Sequence, residues 1–176
     1  MTTSFNRLFL ATFLLSAATC QAHAQVLNAA GAIMRGKSIL EFYEAAIANP
    51  QQVLLLSVEI RSRFTGDSTR YKHLSNELAQ SLGLFDAGPL GLDHIELGSE
   101  PSPSSEHGYY SIKLKKLNFK QCTALANHTP LNQNFVRVEL NGVPVIANGA
   151  TQQTLAVCRS QWFFQSGRNE LKYVAY

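Results

Sequence analysis

The chain has 176 residues, 45% of them hydrophobic and 15% charged, with a formal net charge of +3. So small an excess of base argues against the strong basic stripe on which nucleic-acid binding usually rests. Beyond a short N-terminal leader there is no apolar run of about 18 residues, so no membrane span is expected.

Arg7 opens a charged region, Leu8 to Ala18 form an apolar run of about 11 residues, and Ala22-His23-Ala24 is a small-x-small cleavage signal. The run falls short of the roughly 20 residues that cross a bilayer. Residues 1–24 therefore read as a signal peptide, leaving a periplasmic or secreted chain from Gln25. Acylation of Cys20 is a competing reading, on the poor lipobox Ala17-Ala18-Thr19. Cleavage after Ala24 removes Arg7 and Cys20, so 15 bases become 14 against 12 acids, and 3 cysteines become 2. Two cysteines in an exported chain read as one disulfide, Cys122–Cys158. A loop of that length stabilises the fold by roughly 2–4 kcal/mol in the chain-entropy model. The remaining residues, 25–176, fit one domain.

From Val26 to Asn49, Ala30, Ile33, Leu40, Tyr43 and Ile47 recur at helical spacing, weakened by Gly31 and Gly36. Asn49-Pro50 reads as the start of a second helix, with Gln52 completing a capping box. Val53, Leu56, Ile60 and Phe64 fit its buried face; Leu54, Leu56, Val58 and Ile60 fit a strand equally well, and the cap before and Gly66 after decide for a helix. A third helix is expected where Tyr71, Leu74, Leu78 and Leu82 form a stripe, with Gly83 as its stop. Phe85 to Gly108 is rich in Gly, Pro and Ser and reads as a long connection within the domain.

Tyr110, Ile112 and Leu114 alternate with Ser111, Lys113 and Lys115, the period of a strand with one buried face. Asn118 caps the helix that follows, Gln121 closes a capping box, and Leu117 is placed to staple onto Cys122. Val136, Val138 and Leu140 alternate with Arg137 and Glu139. Asn141-Gly142 then predicts a tight hairpin into Val143-Pro144-Val145-Ile146, with Pro144 placing that arm at an edge or shortening it. Leu155 to Cys158 and Leu171 to Tyr176 supply further strand material.

Several patterns bear on chemistry. Gly31 to Ser38 matches the phosphate-loop pattern, in which Lys37 would reach nucleotide phosphates and Ser38 would hold magnesium. The stretch before it is a poor strand, and no apolar run ending in aspartate follows. His73, His94, His107 and His128 show no metal-ligand spacing, so neither a metal nor a cofactor is expected. Asp86, Asp93 and Glu96 are near His94 in sequence but read as solvated loop acids. There is no nucleophile elbow. Lys113, Lys115, Lys116 and Lys120 put positive charge beside the central strand, as a solvated face or as a contact surface for an acidic partner or anionic glycan. Asn127-His128-Thr129 matches a glycosylation sequon by pattern.

Taken together, these parts resemble the globular domain of a type IVb pilin or pilin-like subunit. The residues that carry the resemblance are Tyr110 to Leu114, Leu117 with Cys122 to Leu125, Val136 to Gly142, Cys158, and Asn169 to Tyr173. It implies an α+β fold with N-terminal helices packed on an antiparallel sheet. It also implies a C-terminal disulfide around a variable region, followed by a final strand. The front differs from a prepilin, which has a short leader ending in glycine and then an apolar helix with an early glutamate. The expectation is therefore a soluble pilin-like protein, without catalysis, acting through a protein partner in a pilus or on a cell surface. A phosphate-loop enzyme and a secreted inhibitor or small-ligand module are the alternatives.

Overall fold

The computed structural model describes residues 36–64, 71–86, 88, 93–101, 108–147, 150–151, 158–160 and 167–176. The leader, residues 31–35 of the phosphate-loop pattern, His107 and the expected strand at 155–157 lie outside the described residues. Five helices and six strands are described: α1 Ile39–Ala48, α2 Gln51–Arg63, α3 Asn76–Ser81, β1 Ile95–Glu100, β2 Tyr109–Leu117, α4 Phe119–Ala126, α5 Thr129–Asn132, β3 Arg137–Leu140, β4 Val143–Ala147, β5 Ala150–Thr151 and β6 Asn169–Ala175. This is the α+β architecture expected from the sequence.

The helices begin where polar side chains can take up their free N–H groups. Ser38 and Glu41 form a capping box that starts α1 at Ile39, and α1 buries Ile39, Phe42, Tyr43 and Ala46; residues 26–35 of the expected helical stretch lie outside the described residues. Asn49 accepts from the Gln51 N–H at 3.2 Å. Gln52 makes no reciprocal bond, because the Asn49 N–H already closes α1 on the Ala45 carbonyl at 2.8 Å. The third helix is shorter than expected: Ser75 caps it, and Tyr71 and Leu74 enter the core from the preceding turn. Leu82 is exposed. Gly83, at φ 70°, ends the helix as anticipated. Its N–H reaches the Gln80 carbonyl and the Leu84 N–H reaches the Ala79 carbonyl, both at 3.0 Å, a Schellman stop with Leu84 and Ala79 buried.

The sheet is antiparallel throughout, in the order β1-β2-β6-β3-β4-β5. The final strand thus lies at its centre, between β2 and β3. One face carries Ile95 and Leu97, Tyr110, Ile112 and Leu114, Leu171, Tyr173 and Ala175, and Val138 and Leu140; all are buried in the core they share with the helices. Ser57 of α2 and Tyr110 of β2 join the layers through a hydroxyl pair at 2.7 Å. Tyr110 also donates to the Ser57 carbonyl at 2.9 Å. Tyr43 of α1 donates to the Lys115 carbonyl at 2.6 Å, and its burial pushes the phenol pKa up to about 12.

The Asn141-Gly142 turn has φ of 53° and 81°, as the tight hairpin between β3 and β4 requires. Among the described residues β5 pairs with Ile146 and Ala147, so Pro144 occupies the part of β4 whose outer side carries no described strand. Val136, one residue before β3, is half-buried, and its N–H reaches the Val174 carbonyl of β6 at 2.9 Å.

β1 was not anticipated within the Gly/Pro/Ser-rich stretch. It forms an outer edge of the sheet, with the backbone groups of Ile95 and Leu97 facing away from β2. Asn76, 2% exposed, covers part of that edge: its Nδ2 donates to the Ile95 carbonyl at 2.9 Å and its Oδ1 accepts from the Leu97 N–H at 2.8 Å. A side-chain amide thus stands in for a neighbouring strand.

Candidate functional site

The predicted disulfide is formed: Cys122 and Cys158 are bonded, with their Cα atoms 6.0 Å apart. It sits at the end of the sheet where β2 finishes, β6 begins and the β3–β4 hairpin turns. Lys116, at φ 56°, forms an irregularity between Leu114 and Leu117 that ends regular pairing with β6. Asn118 then caps α4 with the predicted box, its Oδ1 accepting from the Gln121 N–H at 2.8 Å and Gln121 Oε1 accepting from the Asn118 N–H at 2.9 Å. Leu117 and Cys122, the predicted staple pair, are both fully buried. Cys122 is thereby presented from a rigid helix.

Asn169 organises this corner. Its side chain, 1% exposed, uses its full hydrogen-bonding capacity. Nδ2 donates to the carbonyls of Leu117 and Arg159, both at 3.2 Å. Oδ1 accepts from the Arg159 N–H at 2.7 Å and from Asn141 Nδ2 at 3.0 Å. Asn141 in turn exchanges bonds with Glu170, accepting its N–H on Oδ1 and donating its own N–H to the Glu170 carbonyl. Gly167, at φ 83°, lies against Lys116 so closely that a Cβ there would stand 2.9 Å from the Lys116 carbonyl oxygen. One side chain and one close backbone approach therefore tie the residue after Cys158 to the end of β2, the hairpin and the start of β6.

The lysines singled out in the sequence are not equivalent. Lys113 and Lys115 both pair with Glu96, and Lys116 pairs with Asp93 at 3.3 Å. The Lys115 hydrogen bond, with Lys113 behind it, holds the Glu96 carboxyl below its usual range. Lys120 is exposed and has no ion pair among the described residues. Arg159 and Arg168 flank Asn169, are exposed, and likewise have no ion pair among the described residues. Sequence reading missed them because each looked like an isolated loop charge.

The outer face of the sheet carries a second charge cluster. Lys172 bridges Glu100 and Glu139, each at 3.1 Å. Arg137 stands 3.3 Å from Glu100 and 2.6 Å from Glu139, the latter pair close but not aligned as a hydrogen bond. Gly98 and Ser111 are small residues paired on this face, and Val174, also on it, is fully buried. Burial lowers the pKa of Lys172, but the hydrogen bonds it donates to Glu139 and Glu100 and their charges outweigh it, so the ammonium is held above the ordinary lysine range. Two acids meet two bases here, so the cluster stitches the face together without giving it a net charge.

The remaining candidates do not assemble into a reactive set. The Ser38 hydroxyl accepts the Glu41 N–H as a helix cap at 3.3 Å. His94 packs edge-on against the Tyr43 ring, 5.0 Å between centroids, while Glu96 and Asp93 turn to lysines. His128 Nδ1 accepts the Leu131 N–H as the cap of α5 at 3.2 Å, and His73 lies exposed in the turn before α3. No group of three or more potential metal ligands occurs among the described residues. A cleft of about 300 Å³ opens at the opposite end of β2, between Tyr71, Lys72, Ser99, Glu100 and Tyr109. No helix among the described residues is long and apolar enough to cross a membrane.

No model of a known protein family matches the sequence. No curated protein matches it either. Among solved structures, a similar one is the crystal structure of a type IV b pilin from Salmonella typhi. The identity is 13%, the match covers 76% of this chain and 98% of that chain, and the TM-score is 0.49.

Proposed function

We propose that the protein is an exported, non-catalytic, pilin-like structural or adhesive factor that acts by contact with a pilus or another cell-surface component. The observation that carries this reading is the clasped corner. A disulfide ahead of a final strand, which the sequence resemblance to type IVb pilins implied, is joined by a saturated Asn169, and together they hold the chain after Cys158 against the start of that strand. A surface held on a sheet in this way loses little conformational entropy when a partner binds. The disulfide fits an extracytoplasmic compartment. Lysines, arginines and an exposed Phe119 decorate that end of the fold, and the groups there suit recognition rather than bond-making.

The test is capture of pilus or envelope components by the immobilised mature protein. Extracts from cells that lack the pilus assembly machinery serve as the control. Pilus subunits should be retained from the first source and absent from the second. Correctly oxidised protein that captures no subunit from either would overturn the reading.

A further inference from the structure

We infer that the corner formed by Lys116, Lys120, Arg159 and Arg168 binds a linear sulfated polysaccharide. The inference rests on the display reading above, because it requires that this corner face outward on an exported protein.

The four cations come from three stretches of chain that Asn169 draws together. Lys116 precedes Leu117, whose carbonyl lies 3.2 Å from Asn169 Nδ2. Arg159 contributes both its N–H and its carbonyl to the same side chain. Arg168 is the residue before Asn169, and its other neighbour, Gly167, abuts the Lys116 backbone. Lys120 stands in the first turn of α4, which starts directly after this junction. All four are exposed. Lys113 and Lys115, by contrast, are half-buried and committed to Glu96. The acid paired with Lys116, Asp93, has a side chain 80% exposed, and so open a pair contributes only about 0–1 kcal/mol, which leaves Lys116 free to exchange partners.

The shape of the corner selects the class of anion. The described cleft lies at the far end of β2, whereas the four cations stand on exposed residues from three separate stretches of chain. A chain bearing anionic groups at intervals can satisfy several such cations at once. Phe119, 41% exposed and next to Lys120, offers an aromatic face to a sugar ring. A stable protein interface usually covers about 800 Å² per partner around an apolar centre. Among the described residues, Phe119 and Val143 at the hairpin tip are the exposed large hydrophobic residues at this end, fewer than such a centre needs.

The test is titration of the oxidised mature protein with a defined heparin oligosaccharide, over salt from about 50 to 200 mM, an interval across which polyanion binding weakens steeply. With four cations engaged, the logarithm of affinity should fall against log salt with a slope of about −3, at roughly −0.7 per charge for a single-stranded polyanion. Arg159→Glu/Arg168→Glu and, separately, Lys120→Glu should each weaken binding at least tenfold with an unchanged melting temperature. Lys72→Glu, at the opposite end of the sheet, should change it by less than threefold. No binding at the lowest salt, an equal loss in Lys72→Glu, or equally tight binding of poly-glutamate, as an acidic protein partner would predict, overturns the inference. Absent heparin binding with pilus capture intact sinks this inference alone. Heparin binding without pilus capture sinks the display reading and leaves a polysaccharide-binding surface.

Discussion

Replacing Asn169 with leucine should destabilise the fold by about 3 kcal/mol, because it strands the polar groups that one side chain now serves. The bond to the Leu117 carbonyl is buried, and leaving that oxygen unpaired costs about 1–3 kcal/mol. The bonds to the Arg159 N–H, the Arg159 carbonyl and Asn141 Nδ2 are partly buried, so water can replace them and each loss is nearer 0.5 kcal/mol. Leucine is close in volume, so packing adds little to that sum. At about 2–4 °C per kcal/mol for a chain of this size, the melting temperature should fall by roughly 6–12 °C. Urea unfolding with the disulfide intact gives the free energy directly, and amide exchange at Arg159 shows whether the corner has opened. Asn169→Asp should be no milder, since a buried carboxylate would face two carbonyl oxygens. A loss below about 1 kcal/mol in Asn169→Leu, with Arg159 still protected, would refute the claim that this residue holds the corner together.

Removing the bridge by Cys122→Ser/Cys158→Ser should cost roughly 4 kcal/mol for a sequence separation of 36 residues, measured as the shift in urea unfolding relative to the oxidised protein. Asn76→Ala should cost about 2–4 kcal/mol by leaving the Ile95 carbonyl and Leu97 N–H unpaired. It should also open the β1 edge, so light scattering should show concentration-dependent association that the parent lacks. The lowered pKa of Glu96 means that its ion pairs stabilise the fold above the ordinary glutamate value and that this contribution disappears as pH falls through the depressed folded-state value. Glu96→Gln should therefore lower stability modestly at neutral pH and flatten its acid limb, the difference from the parent vanishing as pH falls below about 4.5, with a small amplitude because the carboxylate is half exposed.

What the sequence disclosed was local. The Asn118–Gln121 box, the Asn141-Gly142 turn and the alternation of Tyr110, Ile112 and Leu114 each depend on neighbours within a few residues, and each appears in the structure as expected. The Cys122–Cys158 bridge was legible because few cysteines were available to pair. Ser38-x-x-Glu41 was equally local, but it was obscured by a phosphate-loop spelling and by apolar spacing that continued upstream. β1 was hidden by Gly98 and Ser99, poor strand formers whose place is set by pairing with Ser111 and Tyr110. Asn169, Gly167, Arg159 and Arg168 could not be grouped from sequence, since what unites them is contact with Leu117 and Lys116, which are some 40–50 positions earlier in the chain. The lysine patch shows the same limit: counting charges could not show that Glu96 would take up Lys113 and Lys115 and leave Lys120 exposed.

The most direct test of the display reading is the affinity of the purified mature protein for isolated pilus subunits, measured side by side for the oxidised form and for Cys122→Ser/Cys158→Ser. Saturable binding by the oxidised form, weakened at least tenfold without the bridge, is the expected result. Equal affinity in both forms, or no binding by the oxidised protein, would contradict it.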